Sequence, residues 1–141
     1  MNFTQLHHQS APLLIANVWD VPSALAAQRA GYQALGTSSA AIADMLGYPD
    51  GEGMSFAELR YIVGRIRAAT TLPLSVDIES GYAESVGDIV DNVLQLSALG
   101  VAGINLEDSH VRDGRRELLD AEHSGSKCVR AGKRGSIGCC W

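Results

Sequence analysis

Lysine and cysteine are both missing from the first 123 residues of this 141-residue chain. Their absence excludes Schiff-base catalysis by a lysine, thiol nucleophiles and disulfides from most of the molecule. Long apolar runs are missing too. None approaches the roughly 18–20 residues of a membrane-spanning helix, and the opening MNFTQLHHQSAPLL lacks the basic stretch of a secretory signal. The expectation is a soluble, cytoplasmic protein with no membrane partner. Positive charge is scarce, with 11 Lys and Arg against 16 Asp and Glu and a formal charge of −5. That balance argues against a nucleic-acid surface. What is present, 46% hydrophobic and 19% charged residues, is the composition of a globular domain rather than a disordered chain.

These averages conceal a boundary near residue 123. Residues 1–123 hold seven Arg and all sixteen acids, a net charge of −9, whereas residues 124–141 (SGSKCVRAGKRGSIGCCW) hold two Lys, two Arg, no acid and all three Cys, a net charge of +4. The last eighteen residues also carry four Gly and no amphipathic period, so no packed element is expected there. Cys128, Cys139 and Cys140 fit neither a zinc spacing nor a redox C-x-x-C pair. The segment reads as a disordered or non-native tail, as a shifted reading frame or a truncation would produce, or else as a natural flexible basic tail.

The acidic body alternates apolar runs with amphipathic stretches. PLLIAN (12–17), ALGTSS (34–39), LPLSVDI (72–78) and VAGINLED (101–108) read as strands, apolar on both faces. Between them lie helical stretches at 21–32, with Pro22 in the first turn and Gly31 as stop, at 56–71, opened by Ser55 and Glu58 in capping-box spacing, and at 85–100, ended by Gly100. A Gly-rich loop, 46–53, follows the second strand. Strands separated by single crossover helices imply a parallel sheet, either an open doubly wound one or a (β/α)8 barrel, and four strands cannot close a barrel of eight.

In parallel α/β folds chemistry collects at the carboxyl ends of the strands. Those ends carry Asn17, Trp19 and Asp20, then Ser38 and Ser39, then Asp77 and Glu79, then Glu107 and Asp108, with Asp50 able to fold in from the Gly-rich loop. Carboxylates converging on one mouth repel unless a cation sits among them, and hard oxygen donors suit Mg²⁺ or Mn²⁺. Ser38 and Ser39 could then offer hydroxyl and backbone donors to a small carboxylate. Each piece has an ordinary alternative. Asp20, Asp77 or Glu107 could be a helix cap, Ser38-Ser39 a simple turn, and Gly51-x-Gly53 a mobile loop rather than a phosphate cradle. The four histidines show no metal-pair spacing.

The succession ANVWDVPSALAAQRAGYQALGTSSAAIADMLGYPDGE, then LPLSVDIESGYA, then GVAGINLEDS resembles the isocitrate lyase/phosphoenolpyruvate mutase family, from about residue 11 to 123. The resemblance implies the N-terminal half of a (β/α)8 TIM-type barrel, four parallel strands with crossover helices. It implies an enzyme that cleaves or rearranges C–C or P–C bonds of small 2-oxo or 2-hydroxy carboxylates through an enolate-like species held by Mg²⁺, homo-oligomeric in its full-length form. By the same resemblance Asp77 binds the metal most directly, while Glu79 and Glu107 hold its waters. Ser38 and Ser39 cradle the substrate carboxylate, and with Asp50 of the mobile loop they form the catalytic set, Asp77 also facing the substrate.

Three departures stand out. The third-strand motif is Asp77-Ile-Glu79 where the family usually has D-x-D. The stretch after the fourth strand, SHVRDGRRELLDAEH (109–123), lacks the Lys-x-Cys-Gly-His loop of the lyase branch, which points to the mutase, phosphonopyruvate hydrolase or oxaloacetate decarboxylase-like branches, where D-G-R precedes a helix. Strands expected after residue 123, with a substrate-facing arginine, are absent, so impaired turnover is expected. The competing expectation is a non-catalytic half-barrel module that binds a divalent metal or a carboxylate.

Overall fold

In a computed structural model, residues 3–112, 115–120 and 138–140 are described. The elements run α1 (Phe3–His7), β1 (Ile15–Val18), α2 (Val21–Arg29), β2 (Ala34–Thr37), α3 (Ser39–Leu46) and α4 (Phe56–Ala69). They continue with β3 (Leu74–Asp77), α5 (Val86–Ala98), β4 (Gly103–Asn105), β5 (Ser109–Arg112), β6 (Arg115–Leu118) and β7 (Gly138–Cys140).

The helix boundaries follow from capping chemistry. Asp20 accepts from the Ser23 amide at 2.7 Å, and the Ser23 hydroxyl takes the Asp20 N–H in return, closing a capping box with Pro22 inside the first turn. Ser55 and Glu58 close the second box, the Ser55 N–H donating to Glu58 at 2.8 Å. Along α4 the buried residues Leu59, Val63 and Ile66 recur at i, i+4 and i+7, and along α5 Ile89, Val93 and Leu96 do the same.

The strands pair in parallel in the order β1-β2-β3-β4-β7. Register places Ala16 beside Leu35, Leu35 beside Leu74, and Val76 beside Ile104. These residues and Val18 meet Ala24 and Ala27 of α2, Ile42 of α3, Leu59, Val63 and Ile66 of α4, and Val93 and Leu96 of α5 in one core. Side chains alternate across a strand, so the neighbouring register row, Asn17 beside Gly36, Gly36 beside Ser75 and Asp77 beside Asn105, lies on the opposite face. Towards the carboxyl ends that face is small and polar, with Ile15 beside Ala34 at its amino end. The expectation of strands apolar on both faces is therefore wrong: one face is packed against helices, and the other opens onto a cleft. Four parallel strands with crossover helices on one side are the arrangement expected of half a (β/α)8 barrel. At the amino ends of the strands, α1 packs Phe3 and Leu6 on Ala34, against Leu13 and Ala102.

Three further elements differ from the reading of the sequence. Residues 39–46 form α3 instead of continuing a strand into a loop, because Ser38 turns the chain and caps it, its hydroxyl accepting from the Ala41 N–H at 3.3 Å. After β4 the chain does not start a helix. It forms an antiparallel hairpin, β5 against β6, with His110 opposite Glu117 and Val111 opposite Arg116. Gly138–Cys140, in the segment where no packed element is expected, pair in parallel with β4. The rest of 124–141 lies outside the described residues. No helix among the described residues is long and apolar enough to cross a membrane.

Candidate functional site

The polar face of the sheet floors a cleft of about 470 Å³. Asn17, Ser75, Asp77 and Asn105 rise from the strands, Ser38, Ser39 and Ala40 border it from the start of α3, and Asp50, Glu107 and Arg116 close its carboxyl end. A second cavity of about 490 Å³, between Pro12, Leu14 and Tyr32 at the amino ends, contains no charged side chain and offers no reactive group.

Asp77 is tied to its surroundings at both carboxylate oxygens and at its backbone. Its Oδ2 accepts from the Ser39 hydroxyl at 2.7 Å, its Oδ1 accepts from the Glu79 N–H at 3.1 Å, and its own N–H donates to Thr37 Oγ1 at 2.9 Å. The ends of β2 and β3 and the head of α3 are thereby tied together around one residue. The first amides of α3 have no partner within the helix, and the positive end of its dipole borders the cleft, which makes this edge receptive to an anion. The serines are placed where the sequence predicts, but their hydroxyls are engaged, Ser38 in capping α3 and Ser39 in holding Asp77. Ser38 accepts through its oxygen and keeps its hydroxyl proton, and Asn17, Asn105 and Arg116 add side-chain donors to the cleft.

Glu79 is 4% exposed and sits in the left-handed region at φ 50. Burial is the main cause that pushes its carboxyl up to about 7, and the charges of Asp77, Asp50 and Glu107 push in the same direction. A contact with Ser39 opposes this, but that hydroxyl has one proton and gives it to Asp77. Glu52 and Tyr82, at φ 63 and 56, are also left-handed. Three strained non-glycine residues in two loops at one end of the sheet mark a place where the surroundings dictate the backbone. The surroundings here are visible: Glu52 Oε1 accepts from the Ser80 N–H at 3.0 Å, the Ser80 hydroxyl at 2.8 Å and the Tyr82 N–H at 3.0 Å. The loop expected to be mobile is tethered by these bonds and by buried Met54. Asp50 rides on it at the cleft mouth, its Oδ2 3.7 Å from Arg116 Nη2.

The structure thus brings Asp50, Asp77, Glu79, Glu107 and the Ser38-Ser39 turn to one end of the sheet. Asp20 does not join them and serves as a cap. Sequence reasoning missed Glu52, Asn105 and Arg116. Asn105 was accessible from period-two alternation with Asp77 as its neighbour in register. Glu52 and Arg116 act through loop and hairpin contacts that no local pattern announces.

Among the described residues, no three His, Cys, Asp or Glu side chains stand close enough to grip one ion directly. The donor set nonetheless fits Mg²⁺, which keeps several waters and takes one or two carboxylates from the protein. Three carboxylates, Asp50, Asp77 and Glu107, line the cleft, and buried Glu79 beside them bears the repulsion that a cation would relieve.

The family model for phosphoenolpyruvate phosphomutase matches residues 3–136, past the compositional boundary at 123. An uncharacterized protein of Mycobacterium tuberculosis H37Rv is 39% identical over 95% of this chain and 49% of its own length. The 2-methylisocitrate lyase of Shewanella oneidensis is 35% identical over 82% of this chain and 40% of its own. A solved structure of a candidate phosphonomutase from Burkholderia cenocepacia J2315 superposes with a TM-score of 0.87 at 37% identity, covering 96% of this chain and 54% of that one. The chain spans about half the length, or less, of the curated relatives it matches. Sequence match, shared barrel-type architecture and the order of motifs agree: the chain belongs to the phosphoenolpyruvate phosphomutase family, within the isocitrate lyase/phosphoenolpyruvate mutase group of lyases and mutases.

Proposed function

We propose that this chain carries the metal- and carboxylate-holding half of a Mg²⁺-dependent site that cleaves or rearranges C–C or P–C bonds of small 2-oxo or 2-hydroxy carboxylates. The observation that carries the reading is the crowding of Asp50, Asp77 and Glu107 around buried Glu79, directly beside the amino end of α3. Asp77 is the direct ligand, and Glu79 and Glu107 hold the ion's waters. When bound, Mg²⁺ supplies positive charge opposite the oxygen on which negative charge develops as the bond breaks.

The chain's own residues do the rest. The Ser39 and Ala40 amides at the head of α3 receive the substrate carboxylate. The Ser39 hydroxyl fixes the rotamer of Asp77 through its 2.7 Å bond. The tether from Glu52 to Ser80 and Tyr82 sets the position of Asp50 over the cleft. Related lyases and mutases act on small acids of this class, and their added length makes further contributions to the site, including a substrate-facing arginine, part of this reading.

The test is to incubate the 141-residue chain with Mg²⁺ and, separately, phosphonopyruvate, oxaloacetate and 2-methylisocitrate, measuring both binding and conversion of each acid to its cleaved or rearranged product. Saturable, Mg²⁺-dependent binding with weak or no turnover is expected. Full-rate cleavage would show that the four-strand half suffices, and binding of neither metal nor acid would overturn the proposal. A second reading is a free-standing module that binds a divalent metal or a carboxylate without chemistry. The small polar inner face of the sheet favours it, since Asn17, Gly36, Ser75, Asp77 and Asn105 tolerate water where an apolar face would not.

A further inference from the structure

Arg116, on β6, is the one Lys or Arg side chain that lines the cleft among the described residues. Its Nη1 donates to Glu107 Oε2 in a close ion pair and to the Ser109 hydroxyl at 2.9 Å. Ser109 in turn donates to the same Glu107 oxygen at 3.2 Å. On the other side Nη2 stands 3.7 Å from Asp50 Oδ2. One guanidinium therefore joins the loop after α3 to the end of β4 across the mouth of the cleft. The hairpin touches that loop at a second point as well, where a Cβ added to Gly51 would lie 2.5 Å from Val111 Cγ2.

We propose that Arg116 is a displaceable counter-cation. It neutralises Glu107 and Asp50 in the metal-free protein and competes with a divalent ion for them, so that ion binding and release of the β5–β6 hairpin from the mouth are coupled. This rests on the Mg²⁺ reading above. Three features support it. The two acids it bridges belong to the set that converges on Glu79, so the guanidinium and the ion compete for the same negative charge. The Arg116 side chain is 45% exposed and that of Asp50 51% exposed, so water screens the Asp50 arm and keeps it weak enough to exchange first, while the closer Glu107 arm, at 26% exposure, is the one the ion must compete for. The hairpin hangs on β4 through a short connection and forms its own two-stranded sheet, so it can move without unpairing the main one.

The test is calorimetric titration of Mg²⁺ into the metal-free chain, comparing wild type with Arg116→Gln, Arg116→Lys and Arg115→Gln. Arg115 is the exposed neighbour on the same strand, so its variant removes the same charge from the hairpin without that contact. Arg116→Gln should bind Mg²⁺ about 2- to 5-fold more tightly, the range in which a partly exposed ion pair falls. Arg116→Lys should lie between it and wild type, and also serves if the glutamine variant fails to fold. Arg115→Gln should differ from wild type by less than about twofold, a distant exposed charge being screened. Equal affinity of wild type and Arg116→Gln, or an equal gain from Arg115→Gln, overturns the counter-cation while leaving the metal reading intact. Failure of every form to bind Mg²⁺ overturns the metal reading, and the counter-cation with it.

Discussion

Replacing Glu79 by glutamine should remove a large part of the chain's pH-dependent stability. The carboxyl of Glu79 is pushed up to about 7 in the folded protein, chiefly by burial, from 4.5. A raised carboxyl binds more protons folded than unfolded, so its stabilising contribution is complete below about pH 4.5 and is lost as pH rises through 7. A displacement of that size corresponds to about 3 kcal/mol at 1.36 kcal/mol per pH unit. The glutamine side chain is neutral at every pH and keeps the shape of the one it replaces. In EDTA, where no ion compensates the carboxylate, urea unfolding should find the two proteins alike near pH 4. Near pH 8 the Glu79→Gln variant should be more stable by about 2–3 kcal/mol, a rise in midpoint of roughly 1–2 M urea. Saturating Mg²⁺ should shrink the difference by restoring a partner to the wild-type anion. An offset between wild type and variant that is the same at both pH values would refute the reasoning, since it would mean that Glu79 titrates normally.

Other consequences follow from packing and backbone geometry. Ile104→Ala, in the centre of the sheet–helix core at 1% exposure, should lower unfolding free energy by about 2–5 kcal/mol in chemical denaturation. Gly81→Ala should be similarly damaging, because φ is +116 and the new Cβ would meet Ile89 Cγ1 at 2.7 Å; a denaturation midpoint within error of wild type would contradict this. Ser55→Ala, which removes the cap of α4, should lower stability by about 1 kcal/mol without altering Mg²⁺ binding, as measured by denaturation and calorimetry on the same sample.

Much of the fold was legible where a local rule carries it. The Ser55 and Glu58 box, Pro22 in the first turn of α2, and the glycines after α2 and α5 announce their helices without tertiary help. The strand positions were also visible, but their two-faced character was hidden by the small residues of the inner row. Gly36 and Ser75 interrupt an apolar run without looking like a polar face, and only the register shows that they join Asn17, Asp77 and Asn105 there. Helix α3 was missed because SAAIADML is short, largely apolar and follows directly on a strand. The hairpin did leave a trace: Asp113-Gly114 is a hairpin-turn dipeptide in sequence, but the flanking SHVR and RREL lack the alternating apolar pattern that would support it. At the site, the acids at strand ends were found because parallel sheets direct function there. Arg116 and Glu52 were not, since their partners lie in other loops and are chosen by the fold.

The central claim is that Asp77 anchors a divalent ion which in turn receives a small acid at the head of α3. Oxalate, which resembles the planar enolate of a 2-oxo acid in shape and charge, makes the claim measurable as a coupling between two ligands. By linkage, each ligand must raise the affinity for the other by the same factor. Calorimetric titration of Mg²⁺ into this chain, with and without oxalate, should show tighter Mg²⁺ binding when oxalate is present. In Asp77→Asn Mg²⁺ binding should weaken by more than the about 10–100-fold that loss of an outer-shell partner costs, and the coupling to oxalate should vanish with it. Mg²⁺ binding that is unchanged in Asp77→Asn, or that oxalate leaves unaffected in wild type, would contradict the account.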